Sequence, residues 1–229
     1  MTEAGAQGGA MSEQPDRPEV SDMVAVHRVF RDTLGCAPAL IGEIGPSDTD
    51  RVALIGNFYE NVLAFLHAHH EGEEELVFPS LRDRCPDRLE LIERVAAQHH
   101  DVIGAMSESR AALASWSAGE PGAAERVATA LESLGAEAAV HFDDEEKDVL
   151  PLCADQLSVP EWNELPAHGM RSFEGDKIWL ILGLIRQRLS PAQRDAMLTR
   201  MPPPAVEMWT GFGETAFNGL IAEVGAPLG

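Results

Sequence analysis

The chain has 229 residues, 45% of them hydrophobic, enough for one large domain or one domain with an extension. Its 38 acidic and 17 basic side chains leave a net charge of −21, which argues against nucleic acid and anionic membranes as partners. No apolar run approaches the length a membrane-spanning helix needs, so none is expected.

Residues 1–19 are rich in Gly, Ala, Glu and Pro and lack the basic and apolar regions of a signal peptide. They are expected to form a disordered tail. The three cysteines, Cys36, Cys85 and Cys153, are isolated and odd in number. They fit reduced thiols of a cytoplasmic protein better than a disulfide framework.

In chain order, Ser21-Asp22 is a helix N-cap, and the apolar spacing of Met23, Val26, Val29, Phe30 and Leu34 predicts a first helix carrying His27. Glycines and prolines predict a loop from Gly35 to Thr49. A long second helix is expected from Asp50 to Leu81, with a kink near Pro79. A third runs from Arg88 to Trp116, and a fourth from Ala124 to Leu150. The reading is all-α: residues 20–154 form an up-down-up-down four-helix bundle. Residues 155–229 form a C-terminal helical extension packed on the bundle, over one of its mouths or at a homodimer contact.

Within the bundle one pattern occurs twice. His69-His70-Glu71-Gly72-Glu73-Glu74-Glu75-Leu76-Val77-Phe78-Pro79 reads HxxxEExxxxP, and so does the stretch from His141 through Glu145 and Glu146 to Pro151. Residues four apart share a helix face, so His69 and Glu73 can reach one point, as can His141 and Glu145. Imidazole and carboxylate are a natural ligand pair for a transition metal. The interval from His27 to His69 equals that from His99 to His141, so the second half repeats the first in register. That register favours His69 over His70 and His99 over His100.

A lone helical histidine is most often a hydrogen-bonded core residue. Four helices offering histidines at matched spacing, with two glutamates whose burial would be costly without a cation, point instead to a two-metal site. The candidate ligands are His27, His69, Glu73, His99, His141 and Glu145. His70, His100 and Glu146 are the further candidates. Glu74, Glu75, Asp143 and Asp144 read as solvated faces. Tyr59 and His168 are expected to be structural, and Phe173, Trp179, Trp209 and Phe212 to be packing residues rather than a substrate pocket. No Glu-x-x-His pair of the ferritin-like type occurs at these positions.

This constellation resembles the hemerythrin/HHE cation-binding family over residues 20–154. The resemblance implies a non-haem di-iron centre bridged by Glu73 and Glu145, with His99 and His141 on one iron and His27 and His69 on the other. The sequence departs from the oxygen carriers in two places. Ile103 stands where a second third-helix histidine would be, and the last helix has HxxxE rather than HxxxxD, for which Glu146 is the closest match.

Two histidines per iron would leave open positions for O2, peroxide or NO. So few nitrogens suit peroxide turnover or oxidation better than simple O2 carriage. The expected function is a di-iron oxidoreductase, consuming peroxide or oxidising a small organic substrate with O2. The alternative is a non-catalytic sensor or store of O2, NO or iron. A purely structural metal is a third reading, and the open positions argue against it.

Overall fold

The computed structural model describes residues 17–45 and 47–225. Residues 1–16 of the predicted tail, and Pro46 in the predicted loop, lie outside the described residues. Among those described there are helices and no strand.

The bundle consists of α1 (Ser21–Gly35), α3 (Thr49–Gly72) continuing into α4 (Phe78–Arg84), α5 (Leu89–Ser117), and α6 (Ala123–Asp144) continuing into α7 (Leu150–Gln156). Asp48 caps α3, its side chain accepting from Arg51 N at 3.1 Å. Gly119 and Gly122 take φ of +73° and +71° in the turn between α5 and α6, a conformation a side chain would strain.

Two expectations need correction. The stretch after α1 is not all loop. It holds the short helix α2 (Ala37–Gly42), where Pro38 sits in the first turn and Ala37, Leu40 and Ile41 are buried.

The second and fourth helices also treat their prolines differently from the expected kink at Pro79. Each passes through one wide π-helical turn, Glu73–Val77 and Glu145–Val149, before the next helix begins with Pro79 or Pro151 in its first turn. In each, the closing N–H, from Phe78 or Leu150, reaches back five residues to Glu73 or Glu145. A helical proline offers no N–H and crowds the carbonyl four residues earlier, and a widened turn absorbs that.

The core is layered. One apolar cluster contains Phe30, Leu66, Val102 and Phe142, and a second contains Met23, Phe78, Val95 and Val149. On every bundle helix the candidate ligands fall between residues of these two clusters. A polar layer therefore lies across the bundle, sealed by hydrocarbon on both sides.

The extension comprises α8 (Val159–Trp162), α9 (Glu164–Ser172), α10 (Ile178–Arg188), α11 (Pro191–Arg200), α12 (Pro203–Met208) and α13 (Glu214–Val224), with a wide turn at Trp209–Gly213. Ser158 with Glu161, and Ser190 with Gln193, close reciprocal capping boxes. Pro203 sits in the first turn of α12, and the helix continues through the wide turn into α13. α10 packs on α1, and α9 on α3.

Among the contacts that fix the extension, three involve α8 and α9. Trp162 Nε1 donates to Asp22 Oδ1 at 3.1 Å, and His168 Nε2 lies 2.9 Å from Glu75 Oε2. At Gly72 an added Cβ would stand 3.3 Å from His168 Nδ1 and 3.4 Å from Leu165, so the glycine is what lets α9 come this close. His168 is therefore a docking residue.

Tyr59 is a core residue, fully buried, its hydroxyl donating to Thr33 O at 3.0 Å. Phe173 and Trp179 pack against the core and Trp209 is buried within it, while Phe212 is 54% exposed. No helix among the described residues is long and apolar enough to cross a membrane. Cys36, Cys85 and Cys153 are free thiols.

Candidate metal centre

α1 and α5 each bring one histidine to the polar layer, His27 and His99. The ends of α3 and α6 bring the two HxxxE turns. His27, Glu73 and His141 are completely buried, and Glu145 and His99 nearly so. The ligand atoms gather in two groups, each within 4.8 Å. One is His27, His69, Glu73 and Glu145; the other is His70, His99, His141 and Glu73.

Glu73 belongs to both groups. Its Oε1 lies 3.3 Å from His69 Nε2, and its Oε2 lies 3.3 Å from His99 Nε2. Glu145 belongs to the first group alone and approaches from the other side with a single oxygen. Its Oε2 is 3.2 Å from His27 Nε2 and 3.6 Å from His141 Nε2. His99 and His141 turn their Nε2 atoms toward each other at 3.2 Å.

The electrostatics favour neutral imidazoles. Burial holds His69 and His70 well below the ordinary histidine range, reinforced by their histidine neighbours, and lowers His99 as well. Burial brings His141 down to about 4. His27 differs: burial lowers it, but Glu145 and Glu146 outweigh that and raise it. Burial, with Glu145 beside it, pushes Glu73 well above the usual carboxylate range. Burial alone would raise Glu145 too, but His27 and the neighbouring imidazoles overcome it and bring the carboxyl down to about 2.

A cation fits this donor set. His27 Nε2, His69 Nε2, both nitrogens of His70, both oxygens of Glu73, His141 Nδ1 and Glu145 Oε2 are buried with no hydrogen-bond partner. So many orphaned polar atoms at one level would be expensive in a core. Mixed nitrogen and carboxylate donors suit iron, manganese or zinc.

The further candidates separate cleanly. His70 is 2% exposed and lies in the cluster, its ring stacked on His99 with centroids 4.3 Å apart. The expectation of two histidines on each side is thereby corrected: one side has three. His100 is exposed on the outer face of α5 and does not reach the cluster. Ile103 is 46% exposed, so a histidine at that position would also face outward; the third imidazole of the group is His70.

Glu146 lies behind the cluster. Its Oε1 accepts from His27 Nδ1 at 2.9 Å and from Arg31 Nη1 at 2.6 Å. A carboxylate there fixes the tautomer that turns the Nε2 lone pair inward.

Glu74 does the same for His99, accepting from Nδ1 at 3.0 Å. The reading of Glu74 as a purely solvated residue is therefore corrected, although 42% of its side chain is exposed. The repeat register contained the signal, since Glu74 is the counterpart of Glu146. Glu75 likewise has a partner, His168. Asp143 pairs with Arg31, and Asp144 with Arg94 and Gln98. Asp143 stays on a solvated face, its side chain 77% exposed, while Asp144 is half-buried.

A family description, the hemerythrin HHE cation binding domain, matches residues 19–153. No curated protein and no solved structure matches the chain. The matched stretch covers more than half of the sequence and contains every member of the cluster, so the chain belongs to the hemerythrin HHE cation-binding family.

Proposed function

We propose that the chain holds two iron ions and acts on O2, peroxide or NO, as an oxidoreductase that consumes peroxide or oxidises a small organic substrate. One observation carries this reading. Two groups of buried donors share Glu73, and most of the atoms turned toward each other have no protein partner. His70, His99 and His141 would hold one ion, His27 and His69 the other, with Glu73 and Glu145 between them. Iron bound there would supply one-electron redox chemistry and open positions for a small oxidant.

The chain's own residues prepare that chemistry. Glu74 and Glu146 keep protons on the outer nitrogens of His99 and His27. Phe142 lies flat on His27, with centroids 4.3 Å apart, and Phe78 stands edge-on to His99 at 5.3 Å. These rings keep bulk water from both sides of the layer and strengthen every charge interaction within it. The shortage of nitrogens that disfavours simple O2 carriage is confined to the His27–His69 side.

A non-catalytic sensor is the second reading. It is favoured by the contact of His168 with Glu75, two residues from Glu73, which would link the centre to the extension.

The test is metal content per chain, with optical spectra before and after peroxide or air. Two irons and a ferric band that responds to oxidant are expected. Replacing Glu73 or Glu145 by Ala should abolish two-metal binding; retention of two ions by either variant removes the bridging assignment. One zinc, or no metal even after anaerobic iron loading, sinks the di-iron reading. Sustained turnover favours the enzyme, whereas reversible binding with a structural change in the extension favours the sensor.

A further inference from the structure

The extension does more than cover α1 and α3. It leaves a cavity of about 380 Å³ between itself and them. That volume falls toward the small end of the roughly 300–1,000 Å³ typical of small-molecule sites. One wall comes from the bundle: Val26, Phe65, Ala68 and His69. The other comes from the extension and includes Leu165, Ile181 and Met197. The aromatic residues considered as a pocket from sequence do not form it.

The cavity has a direction. Phe30 meets Phe65 at 4.8 Å and His27 meets His69 at 5.3 Å, so α1 and α3 run antiparallel along it. His69, from the side of the cluster with fewer imidazoles, sits partway along. The Phe65 end is hydrocarbon. At the opposite end stand Asp22, Trp162 and Arg200.

Asp22, His69 and Arg200 are the ionisable residues lining the cavity. Asp22 Oδ1 already accepts from Trp162 Nε1 and Met23 N, and burial raises its carboxyl above the ordinary aspartate value. Arg200 is exposed at the rim; its charge acts on the nearby Asp22 carboxyl, without an ion pair between them among the described residues. A guanidinium at one end of an apolar slot is a recognition element for a carboxylate carried on a hydrocarbon body.

We propose that this cavity binds a small aliphatic carboxylate, its head at Arg200 and its chain running past His69 toward Phe65. The proposal deepens the function proposed above by naming a substrate or effector class for the same centre. As a binding site it stands on the cavity alone, and only the role beside the metals rests on that reading.

The experiment is calorimetric titration of sodium octanoate, with 1-octanol as the uncharged control, into the full chain in metal-loaded and metal-free forms. Saturable one-to-one binding of octanoate is expected in both. Met197→Trp, which fills the slot from the extension side, should weaken it by at least about tenfold. Leu165→Trp should do the same and serves as a second filler. Arg200→Gln should reduce octanoate to the level of octanol while leaving octanol unchanged.

Absence of saturable octanoate binding overturns the proposal, as does wild-type binding in both filled variants once circular dichroism shows them folded. Equal binding of octanol and octanoate overturns the carboxylate assignment. Where two irons are present, octanoate should shift the ferric absorption band, and an unmoved band removes the placement beside His69. Metal content separates the two ideas. Two irons without octanoate binding leave the centre standing and sink the cavity proposal, whereas octanoate binding to a chain that takes up no iron does the reverse.

Discussion

Among the residues turned into the cluster, the two halves of the centre differ at one position. Moving along the sequence by one repeat carries His27 to His99, His69 to His141, Glu73 to Glu145, Glu74 to Glu146 and each wide turn onto the other. It carries His70 to Phe142. Both side chains perform the same packing act: His70 stacks on His99, Phe142 stacks on His27, each with centroids 4.3 Å apart. One adds nitrogens to the layer and the other adds none. A nearly two-fold scaffold thus becomes two unlike sites through a single aromatic exchange, and the extension's cavity lies on the side with Phe142's partner, His27, and with His69.

The strongest way to break this arrangement is to remove what both halves share. Glu73→Gln should reduce metal content from two ions to at most one per chain. The same change should make the metal-free protein more stable by about 1 kcal/mol or more, because it removes a buried carboxylate lodged beside another. Metal analysis and urea unfolding after chelation should give these opposite signs.

His70→Phe would leave two imidazoles in each half. It should weaken the ion on that side by more than the 10–100-fold roughly lost when an outer partner of a ligand is removed. A competition titration with a chelator of known affinity measures it, and an unchanged affinity would show that His70 is only a packing residue.

The imidazoles of the layer predict acid lability in the metal-free chain. His69, His70, His99 and His141 have folded values below the ordinary 6.5, so on acidification the unfolded chain takes up protons that the folded one refuses. Stability should therefore fall as pH drops below about 6.5. His141, displaced to about 4, should by itself contribute a loss of about 3 kcal/mol by that pH. Glu73 is shifted upward and acts in the opposite sense, so the imidazole contribution is cleanest in the Glu73→Gln background. Urea midpoints across pH 4–7 test it.

The subtlest comparison concerns the outer carboxylates. Glu146→Gln and Glu74→Gln should each cost about 10–100-fold in metal affinity. Glu146→Gln should cost more, because its side chain is 26% exposed against 42% for Glu74 and is also held by Arg31. Equal losses would mean that Arg31 contributes nothing to positioning His27.

Much of this was legible in the sequence. The four bundle helices, the placement of His27, His69, His99 and His141, and the two inward glutamates all follow from helical spacing, because a helix fixes which residues share a face. His70 was obscured for the same reason. Adjacent helical residues point about 100° apart, so His69 appeared to exclude it; in the structure the two rings bracket the inward direction, at 5.0 Å from each other, and both reach the cluster. Glu74 was hidden by the acidic run around it, where composition suggested solvent. The cavity was not legible, since it depends on how far α9, α10 and α11 stand from α1 and α3. That spacing is set by tertiary contacts such as Trp162 with Asp22 and His168 with Glu75.

The wide turns have a consequence for how such a sequence can vary in length. A π-helical turn is equivalent to an α-helix with one residue inserted, and the extra residue is taken up within the turn, so the helix beyond keeps its facing. That is how Phe78 and Leu81 stay buried beyond Glu73–Val77, and Leu150 and Cys153 beyond Glu145–Val149. A residue gained or lost in the plain α-helical stretch before either segment would instead swing everything beyond by about 100°. A one-residue deletion inside either segment would leave these side chains turned into the core but would return Pro79 or Pro151 to its clash with the carbonyl four residues earlier. The extra residue of each segment is therefore tied to its proline, and each is expected to be lost or kept with the other.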